Sequence, residues 1–176
     1  MRNKRTESKD EPIEFCVVGD LNDNETDLCD KLLDVPHGGE CTIYFDSPGG
    51  SPYTAISLMT LILMRRVKAT GIVTGECSSS ALWPFAACSK RIVTPYSYLL
   101  FHPMKSQSEE QMGLEEAAEW SRHFAELEQE MDQVLAKLLN VSMDQLLPWM
   151  KPGRYVSGRE LSEAGLAEMV ELHRVD

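Results

Sequence analysis

Short apolar segments alternate with longer segments of helical length through the first hundred residues. Five apolar runs have the length and composition of β-strands, namely residues 14–18, 41–45, 69–74, 91–94 and 98–101. Three segments between them have helical length, namely residues 24–33, 51–66 and 80–87, and Asn24 suits the N-cap position of the first. Alternating strands and helices are typical of βαβ units, so the sequence predicts an α/β fold around a largely parallel sheet.

The pattern changes after this alternation, where residues 113–140 form one long amphipathic segment. Its apolar residues recur at three- to four-residue spacing as Trp120, Phe124, Leu127, Met131, Val134 and Leu138. At about 1.5 Å per residue, a helix of this length extends roughly 40 Å, which is more than the width of a small domain. We expect the helix to project and to bury its apolar stripe against another copy of the chain. The alternative is that it folds back across its own domain.

Composition limits the class of protein. With 176 residues, of which 43% are apolar, the chain is long enough for one domain with a substantial core. Its formal net charge of −11 argues against binding to nucleic acid or to an anionic membrane surface, because both interactions depend on Lys and Arg. The longest apolar stretch, residues 55–64, is too short to span a bilayer, so no membrane partner is expected.

The N-terminus and the cysteines indicate a compartment. Residues 1–12 are charged and no apolar segment of a secretory signal follows them, which predicts a disordered start and a cytoplasmic location. The five cysteines form no CxxC pair, which favours free thiols in a reducing environment. No His or Cys pair has the spacing of metal ligands, so we expect neither a metal ion nor another cofactor.

Three features together supply the groups needed for acyl transfer. A serine cluster at residues 78–80 follows a predicted strand and Gly75, and His102 ends a later strand. A turn at residues 47–50, of sequence SPGG, is expected to break the second strand and to offer backbone amides. A hydroxyl nucleophile, a base and N–H donors for an oxyanion are the components of a serine hydrolase. The structural alternative is that the serines cap the following helix and that His102 is buried and inert.

Six short motifs carry a resemblance to a known family. They are YFDSPGGS at 44–51, GECSSSA at 75–81, KR at 90–91, FHP at 101–103, GRYVS at 153–157 and EAGL at 163–166. In this order they resemble the Clp protease proteolytic subunit, over roughly residues 15–172. The resemblance implies a crotonase-like α/β spiral, with residues 13–176 as one domain and the helix at about 113–140 as a protruding handle.

The resemblance also implies an activity and its residues. By position in the motifs, Ser79 is the expected nucleophile and His102 the general base, while the backbone amides of Gly50 and Ser80 form the oxyanion hole. The implied activity is that of an ATP-dependent serine endopeptidase that cleaves unfolded polypeptides or short peptides. The implied partners are further copies of the chain, in a ring or two stacked rings, and an AAA+ unfoldase.

The third member of the expected triad is missing. Gly153 occupies the position at which the family motif has aspartate, and glycine has no side chain to orient His102. The nearest carboxylates by sequence are Glu160, Glu163 and Asp144, and water or a backbone carbonyl could orient the imidazole instead. A carboxylate restored at position 153 is expected to raise peptidase activity.

Two further departures affect the expected partners. Residues 1–12 offer no apolar face, and the segment at 104–110 is more polar than the family's substrate-lining strand. Both departures weaken the expectation of unfoldase docking and of peptide binding. The alternatives are a catalytically silent subunit of a mixed Clp ring, a Ser-Lys peptidase that uses Lys90 or Lys105, and a crotonase-type acyl-CoA enzyme.

Overall fold

A computed structural model describes residues 12–105 and 112–172 of the chain. The expected disorder of residues 1–11 and the polar residues 106–110 lie outside the described residues. The main sheet is formed by β1 (Ile13–Asp20), β2 (Glu40–Gly49), β3 (Lys68–Cys77), β4 (Lys90–Val93) and β7 (Glu168–Met169). Its spatial order is β1-β2-β3-β4-β7 and all its pairings are parallel, which confirms the predicted sheet.

Two further strands bring separate parts of the chain together beside this sheet. Strand β5 (Tyr98–Phe101) pairs in parallel with the end of β3 and antiparallel with β6 (Arg154–Ser157). In the second pairing Phe101 lies opposite Arg154, so the next residues outward, His102 and Gly153, also face each other. The pattern predicts β5, whose four residues are all apolar or aromatic, but neither β6, which begins with Arg and ends with Ser, nor β7, which has only two residues.

The helices follow the predicted order. They are α1 (Glu25–Asp34), α2 (Pro52–Met64), α3 (Leu82–Ala87), α4 (Leu114–Leu139), α5 (Met143–Met150) and α6 (Gly158–Glu163). Ser51 caps α2 by accepting a hydrogen bond from the Thr54 N–H, and Pro52 occupies its first position, where no N–H is needed. Asn24 is the N-cap residue of α1, but its side chain makes no capping bond. Helix α5 is not predicted by the pattern, since Pro148 interrupts it.

The expectation that residues 47–50 break the second strand is wrong. Strand β2 continues to Gly49, with a register shift between Phe45 and Ser47 in its pairing with β3. At this shift the carboxylate of Asp46 accepts a hydrogen bond from the Glu76 N–H at 3.1 Å. This register shift lies near the ends of β2 and β3, and the serine cluster directly follows β3.

Helix α4 divides into an inner and an outer part. Met131, Leu135 and Leu139 are buried in the core, so the C-terminal third packs on its own domain. The outer part is exposed from Leu114 onward, and Trp120 keeps 39% of its surface accessible. A hydrogen bond of 2.8 Å between Tyr53 Oη and His123 Nε2 ties this outer part to the start of α2. The inner part of α4 therefore packs on its own domain, whereas most side chains of the outer part are exposed.

Candidate active site

Ser78 is a structural residue that joins the serine cluster to two strands. It is buried, its N–H donates to the Ser47 carbonyl at 3.0 Å, and its hydroxyl accepts from the Leu100 N–H at 3.1 Å. The second bond ties the end of β3 to the strand that leads into His102. Because its N–H and its hydroxyl are both hydrogen-bonded and its side chain is buried, Ser78 holds the serine cluster in place and is a poor candidate for the nucleophile.

Ser80 is likewise held, whereas Ser79 is not. The Ser80 hydroxyl donates to the Gly50 carbonyl at 3.1 Å. Ser79 begins a 3-10 turn (Ser79–Ala81) with a φ of 56°, a left-handed conformation that non-glycine residues adopt seldom and that is frequent at active sites. Its hydroxyl has no hydrogen-bond partner within residues 12–105 and 112–172, and the side chain is half-buried.

The tight turn at the end of β2 fits closely under this serine. Gly49 has a φ of 101°, and a β-carbon there would lie 2.8 Å from both the Ser79 Cβ and the Ser78 carbonyl oxygen. Only glycine allows the two backbones to approach this closely. The approach brings Gly50 and Ser80, whose amides are the predicted oxyanion donors, to the same wall of the cavity described next.

Ser79 and His102 line one cavity of about 230 Å³, together with Gly50 and Ser80. The remaining wall is formed by Pro52, Leu82, Trp83, Met104, Lys105, Glu128, Asp132, Leu135 and Met150. No direct hydrogen bond joins Ser79 and His102 in the described part of the chain. Such bonds are often long before substrate binds, so their absence leaves both residues usable.

His102 is oriented by a backbone carbonyl. Its Nδ1 lies 2.5 Å from the carbonyl oxygen of Pro103. Because that oxygen can only accept, Nδ1 carries the proton and Nε2 of the neutral ring keeps its lone pair. The imidazole is therefore held in the tautomer that a general base requires.

Gly153 lies directly against His102 and leaves no room for a side chain. Its φ is 110°, and a β-carbon there would come within 2.9 Å of His102 Cβ and 3.1 Å of both His102 Cα and the Phe101 carbonyl oxygen. The expectation that an aspartate here would orient His102 takes no account of this contact. A side chain at position 153 would therefore require His102 or the backbone around it to shift.

The carboxylates named from the sequence as replacements lie elsewhere. Glu160 accepts hydrogen bonds from Ser157, where it caps α6, and forms an ion pair with Arg154. Glu163 and Asp144 are exposed, and none of the three lines the cavity. Of the two lysines considered as bases, Lys90 pairs with Glu168 at 3.0 Å outside the cavity, while Lys105 is exposed at its wall.

One face of α4, with two acidic residues, lines the cavity and was not predicted from the sequence. Glu128, Asp132 and Leu135 recur at helical spacing and all line the cavity. The available signal in the sequence is Asp132, an acidic residue that directly follows Met131 of the apolar stripe. Burial, and secondarily the nearby Glu128, raises the pKa of Asp132 to about 6, against the opposing effect of Lys151.

This shift predicts a pH-dependent stability. Because the folded state holds the proton more tightly, the unfolding free energy falls as pH rises from about 4 to about 6 and stays lower above that range. Asp132→Asn should therefore raise the unfolding free energy at pH 8 by up to about 2 kcal/mol after solvent screening is allowed for, and by almost nothing at pH 4. Urea unfolding at both pH values checks this, and an equal effect at both would contradict it.

The described residues contain no group of three or more His, Cys, Asp or Glu side chains that could hold a metal ion. None of the described helices is both long and apolar enough to cross a membrane. The described cysteines are all free thiols, and burial raises the pKa values of Cys41, Cys77 and Cys88. Within the described residues, the cavity wall carries hydroxyl, imidazole, carboxylate, ammonium and backbone groups.

Comparison with known proteins identifies the family. A curated relative, the ATP-dependent Clp protease proteolytic subunit of Pleurastrum terricola, is 23% identical over 160 residues, which cover 88% of this chain and 81% of the relative. The family model for Clp protease matches residues 18–174. The matched range includes the ends of β2 and β3, the serine cluster, His102 and helix α4. The chain belongs to the Clp protease family and has its mixed α/β fold.

Proposed function

We propose that this protein is a serine endopeptidase of the Clp type, which cleaves unfolded polypeptides or short peptides. The observation that carries the proposal is the contrast within the serine cluster. Among the described residues, the hydroxyls of Ser78 and Ser80 are hydrogen-bonded, whereas that of Ser79 has no such partner and shares a cavity with His102. Membership of the family supports the same reaction class.

The reaction follows from these groups. His102 Nε2 takes the proton of the Ser79 hydroxyl as its oxygen attacks the substrate carbonyl carbon, and the amides of Gly50 and Ser80 stabilise the oxyanion. The imidazolium then returns the proton to the leaving amine, and water hydrolyses the acyl-enzyme by the same steps. Pro103 holds the imidazole through its carbonyl, but a neutral oxygen stabilises imidazolium less than a carboxylate does. We therefore expect slow turnover compared with a complete triad.

We further propose that residues 13–176 act as one domain that assembles into a ring, with an AAA+ unfoldase as a candidate partner, in the cytoplasm. The exposed outer part of α4 supports assembly, because Trp120 and Phe124 pack on each other with ring centroids 4.8 Å apart but remain accessible. Unfoldase docking rests on family membership alone.

Assembly predicts a specific effect of charges on the handle. Replacing both Trp120 and Phe124 with Glu should reduce the particle to a monomer of about 19.8 kDa in light scattering, with the far-UV circular dichroism retained. Leu127 and Met131 are poorer choices, since Met131 belongs to the domain's own core. Leu172→Glu, at an exposed apolar residue outside the handle, is the matched control. An unchanged mass in the double variant would contradict assembly through this helix.

The second candidate is a catalytically silent subunit of a mixed Clp ring. The contact between Gly153 and His102 favours it, because no side chain at that position can supply the missing carboxylate. A crotonase-type enzyme and a Ser-Lys peptidase are less favoured, since Ser79 and His102 line the same cavity and Lys105 is solvated.

A cleavage assay separates the two candidates. The purified protein is incubated with a chemically unfolded polypeptide, and the fragments are followed by mass spectrometry. We expect fragments from the wild type and none from His102→Ala, whose ring can no longer accept the serine proton. A wild type that produces no more fragments than His102→Ala would favour the silent subunit.

A further inference from the structure

Asp132 is a buried carboxylate in the cavity wall that the proposed reaction does not use. The residue keeps only 7% of its surface exposed, and it has no hydrogen bond or ion pair within the described part of the chain. Its neighbour Glu128 is engaged by contrast, since it accepts from the Met104 N–H at 3.0 Å and lies 3.6 Å from Lys151 Nζ. Of the two carboxylates among the described residues of the cavity wall, Glu128 has partners and Asp132 has none within that part of the chain.

Nearby cations do not neutralise Asp132 directly. Lys151 pairs with Glu128 and keeps 57% of its side chain exposed, and Lys105 is exposed at the wall. An unpaired buried carboxylate is unfavourable, because the cavity replaces only part of its hydration. A ligand cation that entered the cavity would restore a partner to Asp132 and would gain a charge-assisted hydrogen bond.

The apolar part of the wall suits the stem of such a ligand. Leu82, Trp83, Leu135 and Met150 line the cavity, and hydrocarbon surfaces of this kind pack well against the methylene groups of Lys or Arg. Ser79 and the backbone of Gly50 line the same cavity. The side chain of the substrate residue that contributes the reacting carbonyl could therefore enter this cavity.

We propose that the cavity selects substrates with Lys or Arg on the acyl side of the scissile bond, and that Asp132 is the counter-ion that determines this specificity. The inference rests on the proposed peptidase function, which it refines with a substrate class.

The test compares peptides that differ only in that residue. Fluorogenic peptides carrying arginine, its neutral isostere citrulline, or leucine are hydrolysed by the wild type and by Asp132→Asn. We expect the wild type to prefer arginine to citrulline in kcat/KM by at least about tenfold, as one well-formed charge interaction provides. Asp132→Asn should remove that preference, so that its ratio of kcat/KM for arginine over citrulline falls to about one. Glu130→Gln, an exposed carboxylate on the same helix, is the control and should keep the preference.

Binding measurements keep this inference separate from the proposed function. Calorimetry on Ser79→Ala, with peptide amides ending in arginine or citrulline, reports the specificity of the cavity without any hydrolysis. Tighter binding of the arginine peptide, lost when Asp132→Asn is added, supports the inference even if the wild type cleaves nothing. Equal binding of the two peptides, or a preference that survives Asp132→Asn, would overturn it.

Discussion

Gly153→Asp is expected to reduce peptidase activity about 100-fold, although it restores the residue type expected at this position. The new β-carbon would lie 2.9 Å from His102 Cβ, and the φ of 110° is unfavourable for any side chain. Displacing a catalytic base by about 1 Å can lower the rate by this factor. Hydrolysis of a short fluorogenic peptide measures the effect, with thermal unfolding as a check on the fold.

Gly153→Ala separates the steric effect from the charge. Alanine adds the same β-carbon without a carboxylate, so we expect it to be about as inactive as the aspartate variant. If Gly153→Asp were instead more active than the wild type while Gly153→Ala was not, the carboxylate would be orienting His102. The close contact between Gly153 and His102 would then not explain why the triad carboxylate is missing.

Ser79→Ala and His102→Ala are each expected to lower kcat by about 10³-fold or more, and the double variant by no more than either single variant. Non-additivity is expected because the hydroxyl and the imidazole act in the same proton transfer. The measurement is a double-mutant cycle on one peptide substrate. Ser89→Ala is the control, because its hydroxyl bonds the Ala69 carbonyl outside the cavity and activity should be retained.

If the losses in kcat from Ser79→Ala and His102→Ala multiplied in the double variant, the proposed cooperation of Ser79 and His102 would be contradicted. Ser79 and His102 would then contribute independently, for example through substrate binding or folding. Retained activity in Ser79→Ala would show that another residue is the nucleophile.

The fold could be predicted largely because its strands are apolar runs and its longest helix has a periodic apolar stripe. The apolar runs of β1 to β5 and the stripe of α4 carry enough repeats to identify strands and a helix. The end of β2 could not be predicted, because the sequence SPGG usually ends a strand. Here the pairing of Asp20 with Gly49 extends the strand to Gly49.

Motif order names the candidate residues of the site, but their surroundings could not be predicted from the sequence. The sequence motifs name Ser79 and His102. The hydrogen bonds that distinguish Ser79 from the neighbouring serines could not be predicted, because they are made by Gly50 and Leu100, which are distant along the chain. Asp132 lies 53 positions after Ser79, and only the packing of α4 brings it to the cavity. The contact between Gly153 and His102 likewise arises from the pairing of β5 with β6.

The most direct measurement of the central claim is the position of a covalent adduct. The native protein is treated with a fluorophosphonate, which reacts with activated serine hydroxyls, and the modified peptide is sequenced by mass spectrometry. We predict a single adduct on Ser79, formed faster in the wild type than in His102→Ala. An adduct on Ser78 or Ser80, or no adduct on a folded protein, would contradict the assignment of Ser79 as the activated nucleophile.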